Sequence, residues 1–98
     1  MPRSKIDQIR EKIRLRQYDM TAHAMEEMAE DRLDIIDVET ALLTGRIRRV
    51  EKNDPRGAKY IVEGLAADQI TLVGVVGRFV SQDRYLIVTV YEIDESER

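Results

Sequence analysis

The residues of this sequence that could do chemistry are few, and one histidine stands out among them. The chain has a single histidine, His23, and no cysteine. Protein metal sites usually combine several His or Cys ligands at short spacing, and His23 has no second ligand in a His-x-x-x-His or His-Glu-x-x-His pattern. No glycine-rich loop of the kind that cradles phosphates is present. We therefore expect no metal and no other cofactor, so that any catalysis would come from protein side chains.

His23 lies in the first turn of a predicted helix that begins after Thr21. The positive end of the helix dipole disfavours the charged imidazolium, so His23 is a candidate for accepting a proton. The alternative is structural, because a half-buried histidine often hydrogen-bonds to a neighbouring element and orients its own helix. The residues alone leave both interpretations open.

Two further groups carry hydroxyl or cationic side chains. On the last predicted strand, alternation places Thr89 and Tyr91 on one face and Leu86, Val88 and Val90 on the other, which is the better core face. Six cations surround the first predicted hairpin: Arg46, Arg48, Arg49, Lys52, Arg56 and Lys59. These cations are explained equally well by a phosphate site and by a solvated edge strand that resists aggregation.

Length and composition indicate one folded domain, residues 1–98. The chain has 98 residues, of which 36% are charged, and its net charge of −3 is unevenly distributed. Residues 1–17 carry +4, residues 18–45 carry −7, residues 46–59 carry +4 and residues 60–98 carry −4. The sequence has neither an apolar run long enough for a membrane span nor the apolar segment of a signal peptide. We expect a cytoplasmic protein with no membrane association and a local basic surface.

The elements that must position these residues follow from the change in apolar period along the chain. Residues 1–17 predict a basic amphipathic helix with Ser4 as its N-cap, followed by an extended connector at Tyr18–Met20. Residues 21–45 predict a helix pair broken near Arg32-Leu33 and ended by a left-handed Gly45. From residue 46 to 93 the period becomes two, which predicts the strands Ile47–Asn53, Ala58–Gly64, Ile70–Val80 and Tyr85–Ile93. The charged tail, residues 94–98, is expected to fray.

Short turns between the four strands predict an antiparallel meander, because parallel pairing would need long crossovers. Only the preceding helices can cover its apolar face. We therefore predict an α+β fold in which N-terminal helices pack on one face of a four-stranded antiparallel meander sheet.

From about Tyr18 to Tyr91 the sequence resembles the bacterial family catalogued as domain of unknown function 4258. The resemblance rests on five segments in a fixed order: Tyr18-x-x-Thr21-x-His23-Ala24-x-x-x-Met28, Val38-x-x-Ala41-Leu42-x-x-Gly45-x-Ile47, Asp54-x-x-Gly57-x-x-Tyr60-x-Val62-x-Gly64, Leu72-Val-x-Val75-Val76 and Val88-Thr89-Val90-Tyr91. Members of that family resemble small RelE-like ribonuclease toxins that often accompany a zinc-finger antitoxin. The resemblance thus implies RNA as substrate and such an antitoxin as partner.

Carried onto this chain, the resemblance implies roles for six residues. His23 would act as a general acid or base, Lys59 and Arg49 would stabilise the in-line phosphorane, and Tyr91 would position or protonate the substrate. Arg32 and Thr89 would join Arg49 in binding RNA. Where many members carry arginine four and eight positions after the histidine, this chain has Glu27 and Asp31.

Three functions are therefore weighed. The first is a metal-independent endoribonuclease toxin of a toxin–antitoxin pair. The second is a non-catalytic protein-binding or oligomerisation module, favoured by the acidic helices and by the exposed edge strand Ile47–Asn53. The third is a nucleic-acid-binding regulator, whose signature would be a steep salt dependence. The sequence leaves the oligomeric state open.

Overall fold

The computed structural model describes residues 3–94, which form three helices and five strands. The elements are α1 (Lys5–Arg14), β1 (Tyr18–Met20), α2 (Ala22–Glu30), α3 (Ile35–Thr44), β2 (Arg46–Glu51), β3 (Lys59–Leu65), β4 (Leu72–Val80) and β5 (Arg84–Glu92). The predicted α+β class, with the helices before the main sheet, is confirmed. The predicted frayed tail falls, from residue 95 onward, outside the described residues.

The sheet has five strands rather than the predicted four, and it is mixed rather than purely antiparallel. Its order is β1-β5-β4-β3-β2, and β2 to β5 form the predicted antiparallel meander. The added strand is the segment predicted as an extended connector: β1 pairs parallel to β5, with Tyr18 opposite Tyr85 and Met20 opposite Ile87. Three residues are too few to show a period of two, and their partner lies far along the chain, so the sequence pattern predicted an extended segment but no pairing.

Local hydrogen bonds begin each helix where the sequence predicts. The Ser4 side chain accepts from the Asp7 N–H, and the Thr21 side chain accepts from the Ala24 N–H. Asp34 and Asp37 form a reciprocal capping box at the start of α3. These side chains supply acceptors that the first turn of a helix lacks, which is why the three helices begin at these positions.

The core lies between the helices and one face of the sheet. Its buried members include Ile9, Ile13, Ala24, Val38, Ala41 and Leu42 from the helices and Tyr60, Val62, Val73, Val75, Tyr85, Ile87 and Val90 from the strands. Two large apolar residues of the N-terminal half lie at the surface instead, since Leu15 is 57% exposed and Met25 is 51% exposed.

A β-bulge in β5 reverses part of the predicted face assignment. Val76 pairs with Thr89 and the next residue, Gly77, pairs with Ile87, so that Val88 has no partner across β4. An extra residue shifts the alternation by one, and Ile87 therefore shares the core with Val90. The prediction that Leu86 and Val88 share the core face with Val90 was wrong. Thr89 still lies on the face opposite the core, as predicted.

Gly45 ends α3, but not in the left-handed conformation that the sequence predicts. Its φ is −85° and its ψ is −167°, which is extended backbone. Close packing requires a glycine here, because a Cβ on Gly45 would lie 2.3 Å from the carbonyl oxygen of Glu63. Gly64 is required for the same reason, since a Cβ on it would lie 2.2 Å from the carbonyl oxygen of Ala41. The end of α3 thus rests directly on the backbone of β3, which fixes the helix layer against the sheet.

Candidate functional site

The sheet face opposite the core, here called the helix-free face, presents the polar side chains of the meander. In β3, Tyr60 and Val62 belong to the core, whereas Lys59, Ile61 and Glu63 alternate with them and point to the other side. The alternation of β3 therefore places a cation on the same face as the residues predicted on β5.

The strand register arranges this face in rows. One row runs from Arg49 through Ile61 and Val76 to Thr89. Arg49 and Thr89 stand at its two ends, about 14 Å apart across three strand spacings. The apolar centre of this row is flanked by a guanidinium and a hydroxyl, both of which were predicted as RNA-binding groups.

The adjacent row places Tyr91 over a glycine. Tyr91 pairs with Gly74, which pairs with Glu63. A Cβ on Gly74 would lie 2.3 Å from Cζ of the Tyr91 ring, so the absence of a side chain there makes room for the ring. Burial, reinforced by the negative charge of Glu63, raises the pKa of the Tyr91 hydroxyl, and Arg49 opposes that rise. The hydroxyl therefore stays protonated at neutral pH and lies within the electrostatic reach of Arg49.

Lys59 belongs to a different cluster, at the turn between β2 and β3. Its Nζ lies 3.9 Å from Glu51 Oε1 and 4.0 Å from Asp54 Oδ2. Glu51 also accepts a hydrogen bond from Arg49, at 3.1 Å, and so links Lys59 to the row that runs from Arg49 to Thr89. Tyr91 is in the same row as Glu63, and Glu63 follows Lys59 by four residues in β3. The backbones of Tyr91 and Lys59 are therefore about 13 Å apart along the strand direction alone.

The Asp54 carboxylate accepts hydrogen bonds from two arginines, Arg56 and Arg78. Arg56 donates to it from Nε at 3.1 Å, from a terminal nitrogen at 2.9 Å and from its backbone N–H at 2.8 Å. Arg78, from β4, donates to Asp54 Oδ2 at 3.5 Å. These donors, the Arg56 side chain first, hold the pKa of the Asp54 carboxyl well below its ordinary range. The carboxyl is thus ionised at any physiological pH.

Arg78 was not predicted as a site residue, although its sequence context carries a signal. Arg78 is the one charged residue in the otherwise apolar stretch Ile70–Val80, and it is only 7% exposed. A cation in such a stretch needs a partner, and Asp54 supplies one. The turn of Asp54 bounds an open groove of about 690 Å³, lined by Arg49, Val50, Glu51, Lys52, Asn53, Asp54 and Lys59.

His23 lies on another part of the molecule, at the open edge of β5. Its side chain is 67% exposed, and its Nε2 lies 3.3 Å from Glu27 Oε1. The same Glu27 oxygen accepts from the Val90 N–H at 3.2 Å. Four residues further on, Asp31 accepts from the Glu92 N–H at 2.9 Å. Glu27 and Asp31 thus bind edge amides of β5 and dock α2 against it.

The six predicted site residues therefore fall into two sets. Arg49, Lys59, Thr89 and Tyr91 come from the meander, and the first and last of them are electrostatically coupled. His23 and Arg32 come from α2 and the turn after it, where Arg32 is exposed with a φ of 57°. β3 lies two strands in from β5, so Lys59 and His23 are separated by at least about 10 Å across the sheet. The fold therefore does not place Lys59 and His23 side by side.

Within residues 3–94, no group of three or more His, Asp or Glu side chains gathers in a way that could hold a metal ion. In the same part of the chain, no helix combines the length and apolar character needed to cross a membrane.

Comparison with known proteins gives a family but no characterised relative. Neither the curated proteins nor the solved structures contain a significant match to this chain. The model of the family described as Domain of unknown function (DUF4258) matches residues 20–92, from β1 to the end of β5. Since the match takes in most of the sequence and the whole helix-free face, the chain belongs to the DUF4258 family.

Proposed function

We propose that this protein is a metal-independent endoribonuclease toxin of the RelE-like type, which binds single-stranded RNA on the helix-free face. One observation carries the proposal: the strand register places Arg49, Thr89 and Tyr91 on one sheet face that no helix covers. A cation beside hydroxyl groups suits the phosphates of an unpaired strand.

The proposed reaction is an intramolecular transesterification of an RNA phosphodiester. The ribose 2′-hydroxyl attacks the adjacent phosphorus, the bond from phosphorus to the 5′-oxygen breaks, and a 2′,3′-cyclic phosphate and a 5′-hydroxyl result. Arg49 would stabilise the charge that develops on the non-bridging oxygens. Tyr91 would donate its proton to the departing 5′-oxygen, because its hydroxyl is protonated at neutral pH.

His23 is the proposed base that takes the proton from the 2′-hydroxyl. The Glu27 carboxylate beside Nε2 favours the tautomer that carries its proton there, which leaves Nδ1 to accept. Because His23 stands at the edge of the strand that bears Tyr91, the RNA would have to pass over the β5 edge to meet both. Lys59 would bind a neighbouring phosphate rather than the reacting one.

The test is cleavage of a short single-stranded RNA by the purified protein in excess EDTA. We expect products with a cyclic phosphate, and no cleavage when the 2′-hydroxyl is replaced by 2′-O-methyl. Tyr91→Phe and His23→Ala should each slow cleavage by about 10²-fold or more, the usual contribution of a general acid or base. Tyr18→Phe is the matched control, because the Tyr18 hydroxyl bonds to Glu39 in the helix layer. Cleavage at the wild-type rate by Tyr91→Phe would refute the proposed role of this face.

A toxin of this kind would act in the cytoplasm, the setting expected from the sequence, and the family resemblance implies a zinc-finger antitoxin as partner. Co-expression tests the second expectation. Growth arrest caused by this chain alone, relieved by the neighbouring antitoxin and absent for Tyr91→Phe, is the expected outcome.

A second candidate function, a non-catalytic protein-binding module, is favoured by the free edge of β2. This strand is outermost in the sheet, and five of its six residues are exposed. An extended peptide could add to that edge, although the bulge at Arg48 limits the ladder that it could form. Light scattering that finds a stable complex with a partner, together with no RNA cleavage, would favour this function.

A further inference from the structure

The turn between β2 and β3 holds one carboxylate among three cations. Asp54 receives Arg56 at 2.9 Å, Arg78 at 3.5 Å and Lys59 at 4.0 Å. Only the contact with Arg56 has the length of a good charge-assisted hydrogen bond, and Arg56 is the most exposed of the three cations. The two inner cations, Lys59 and Arg78, are therefore held loosely by the anion that they share.

Arg78 is the less satisfied of these inner cations. Its side chain is 8% exposed, and its Nε has no hydrogen-bond partner among the described residues. A guanidinium is a fork of five donors, and leaving its donors unmet away from water costs free energy. Arg78 lies outside the lining of the groove, so it holds Asp54 from the protein side rather than offering its donors to a ligand.

The charge around the groove also favours a further anion. Three cations line the groove, namely Arg49, Lys52 and Lys59, against the carboxylates of Glu51 and Asp54, and the charge of Asp54 is offset further by Arg56 and Arg78. The groove volume of about 690 Å³ lies in the range of small-ligand pockets and would take a nucleotide unit. Concave surroundings of one sign concentrate ions of the opposite sign.

We propose that Lys59 binds a phosphate group of single-stranded RNA in this groove, and that the Asp54 carboxylate competes with that phosphate for Lys59. This inference rests on the proposed RNA function and adds a subsite about 13 Å along the sheet from the Tyr91 row. Arg56 and Arg78 make the exchange feasible, because they hold Asp54 from the solvent side and from the protein side and keep it paired when phosphate takes Lys59. Asp54 thereby sets how tightly the subsite binds.

The test measures binding without cleavage, by fluorescence anisotropy of a labelled 2′-O-methyl oligonucleotide. Asp54→Asn keeps an acceptor for the Arg56 N–H and removes one negative charge, so we expect about fivefold to tenfold tighter binding. Lys59→Met should weaken binding about tenfold and reduce the slope of log K against log salt by about 0.7, the value for one single-strand phosphate. Lys5→Met, which removes the same charge from the helix layer, is the control and should change neither quantity.

A second arm separates this inference from the proposed function. Inorganic phosphate is titrated while the backbone amides of the turn are followed by NMR in the wild type and in Asp54→Asn. Phosphate that binds more tightly to the variant, with no oligonucleotide binding, would support the subsite and contradict the RNA function. Oligonucleotide binding that is unchanged or weaker in Asp54→Asn, and unchanged in Lys59→Met, would overturn the subsite and leave the RNA function standing.

Discussion

Single carboxylates and hydroxyls in this protein differ sharply in the protonation state that their surroundings favour. Burial keeps the Tyr91 hydroxyl protonated, whereas the Arg56 donors keep Asp54 ionised. The two groups therefore present a proton donor at one end of the helix-free face and a fixed negative charge at the other. That contrast is the reason for assigning proton transfer to Tyr91 and phosphate competition to Asp54.

The lowered pKa of Asp54 makes a prediction for stability against pH. A carboxyl whose pKa is lower in the folded state than in the unfolded state stabilises the fold above its unfolded pKa of about 4, and this contribution is lost as the pH falls further. We expect Asp54→Asn to be less stable than the wild type at pH 7 and the difference to shrink at pH 2.5. Urea unfolding at both values measures it. A difference that is equally large at pH 2.5 would contradict the ionic origin of the effect.

At the scale of elements, the position of α2 depends on acidic side chains that bind backbone rather than cations. β1 covers only the first part of β5, from Tyr85 to Ile87. Beyond it the outward N–H groups of Val90 and Glu92 would be unpaired, and Glu27 and Asp31 accept from them. Two carboxylates four residues apart lie on one face of a helix, so both can reach the same strand edge.

This docking predicts separate effects on two amides. Glu27→Ala should speed hydrogen exchange at Val90 and leave Glu92 protected, and Asp31→Ala should do the reverse. Because a hydrogen bond to a charged acceptor contributes about 1.5–3 kcal/mol, Glu27→Ala should lower the free energy of unfolding by about that amount. Exchange measured by NMR distinguishes the two amides. Equal acceleration at both sites in either variant would show that α2 detaches as a unit.

At the scale of the whole molecule, the acidic charge is concentrated in α2 and α3. The segment from Thr21 to Gly45, which forms these helices, contains seven acidic residues and one arginine. The segment from residue 46 to residue 59, which forms β2 and the turn to β3, carries +4. A protein with a net charge of −3 can thus offer a local basic surface to RNA, while α2 and α3 repel it.

Charge reversal on opposite layers tests this distribution of charge. The pair Arg49→Glu with Lys59→Glu should weaken binding of a single-stranded oligonucleotide by about 100-fold or more at moderate salt, because two phosphate contacts become repulsive. The pair Lys5→Glu with Arg14→Glu changes the net charge equally but lies on α1, and it should change binding by less than about threefold. Binding that falls equally in both pairs would mean that net charge, not the helix-free face, governs association.

Periodicity, capping residues and turn residues were enough to determine the two-layer class, the starts of the three helices and the four-stranded meander, because these depend on neighbours within a few positions. Contacts between distant segments decided the rest. The parallel pairing of Tyr18–Met20 with β5, the bulge at Val88 and the close approach required by Gly45 each arise where elements far apart in the chain meet. The site followed the same division: Arg49, Lys59, Thr89 and Tyr91 were identifiable by residue type. Their separation from His23, and the association of Arg78 with Asp54, exist only once the strands are paired and the hairpin turn closes over β4.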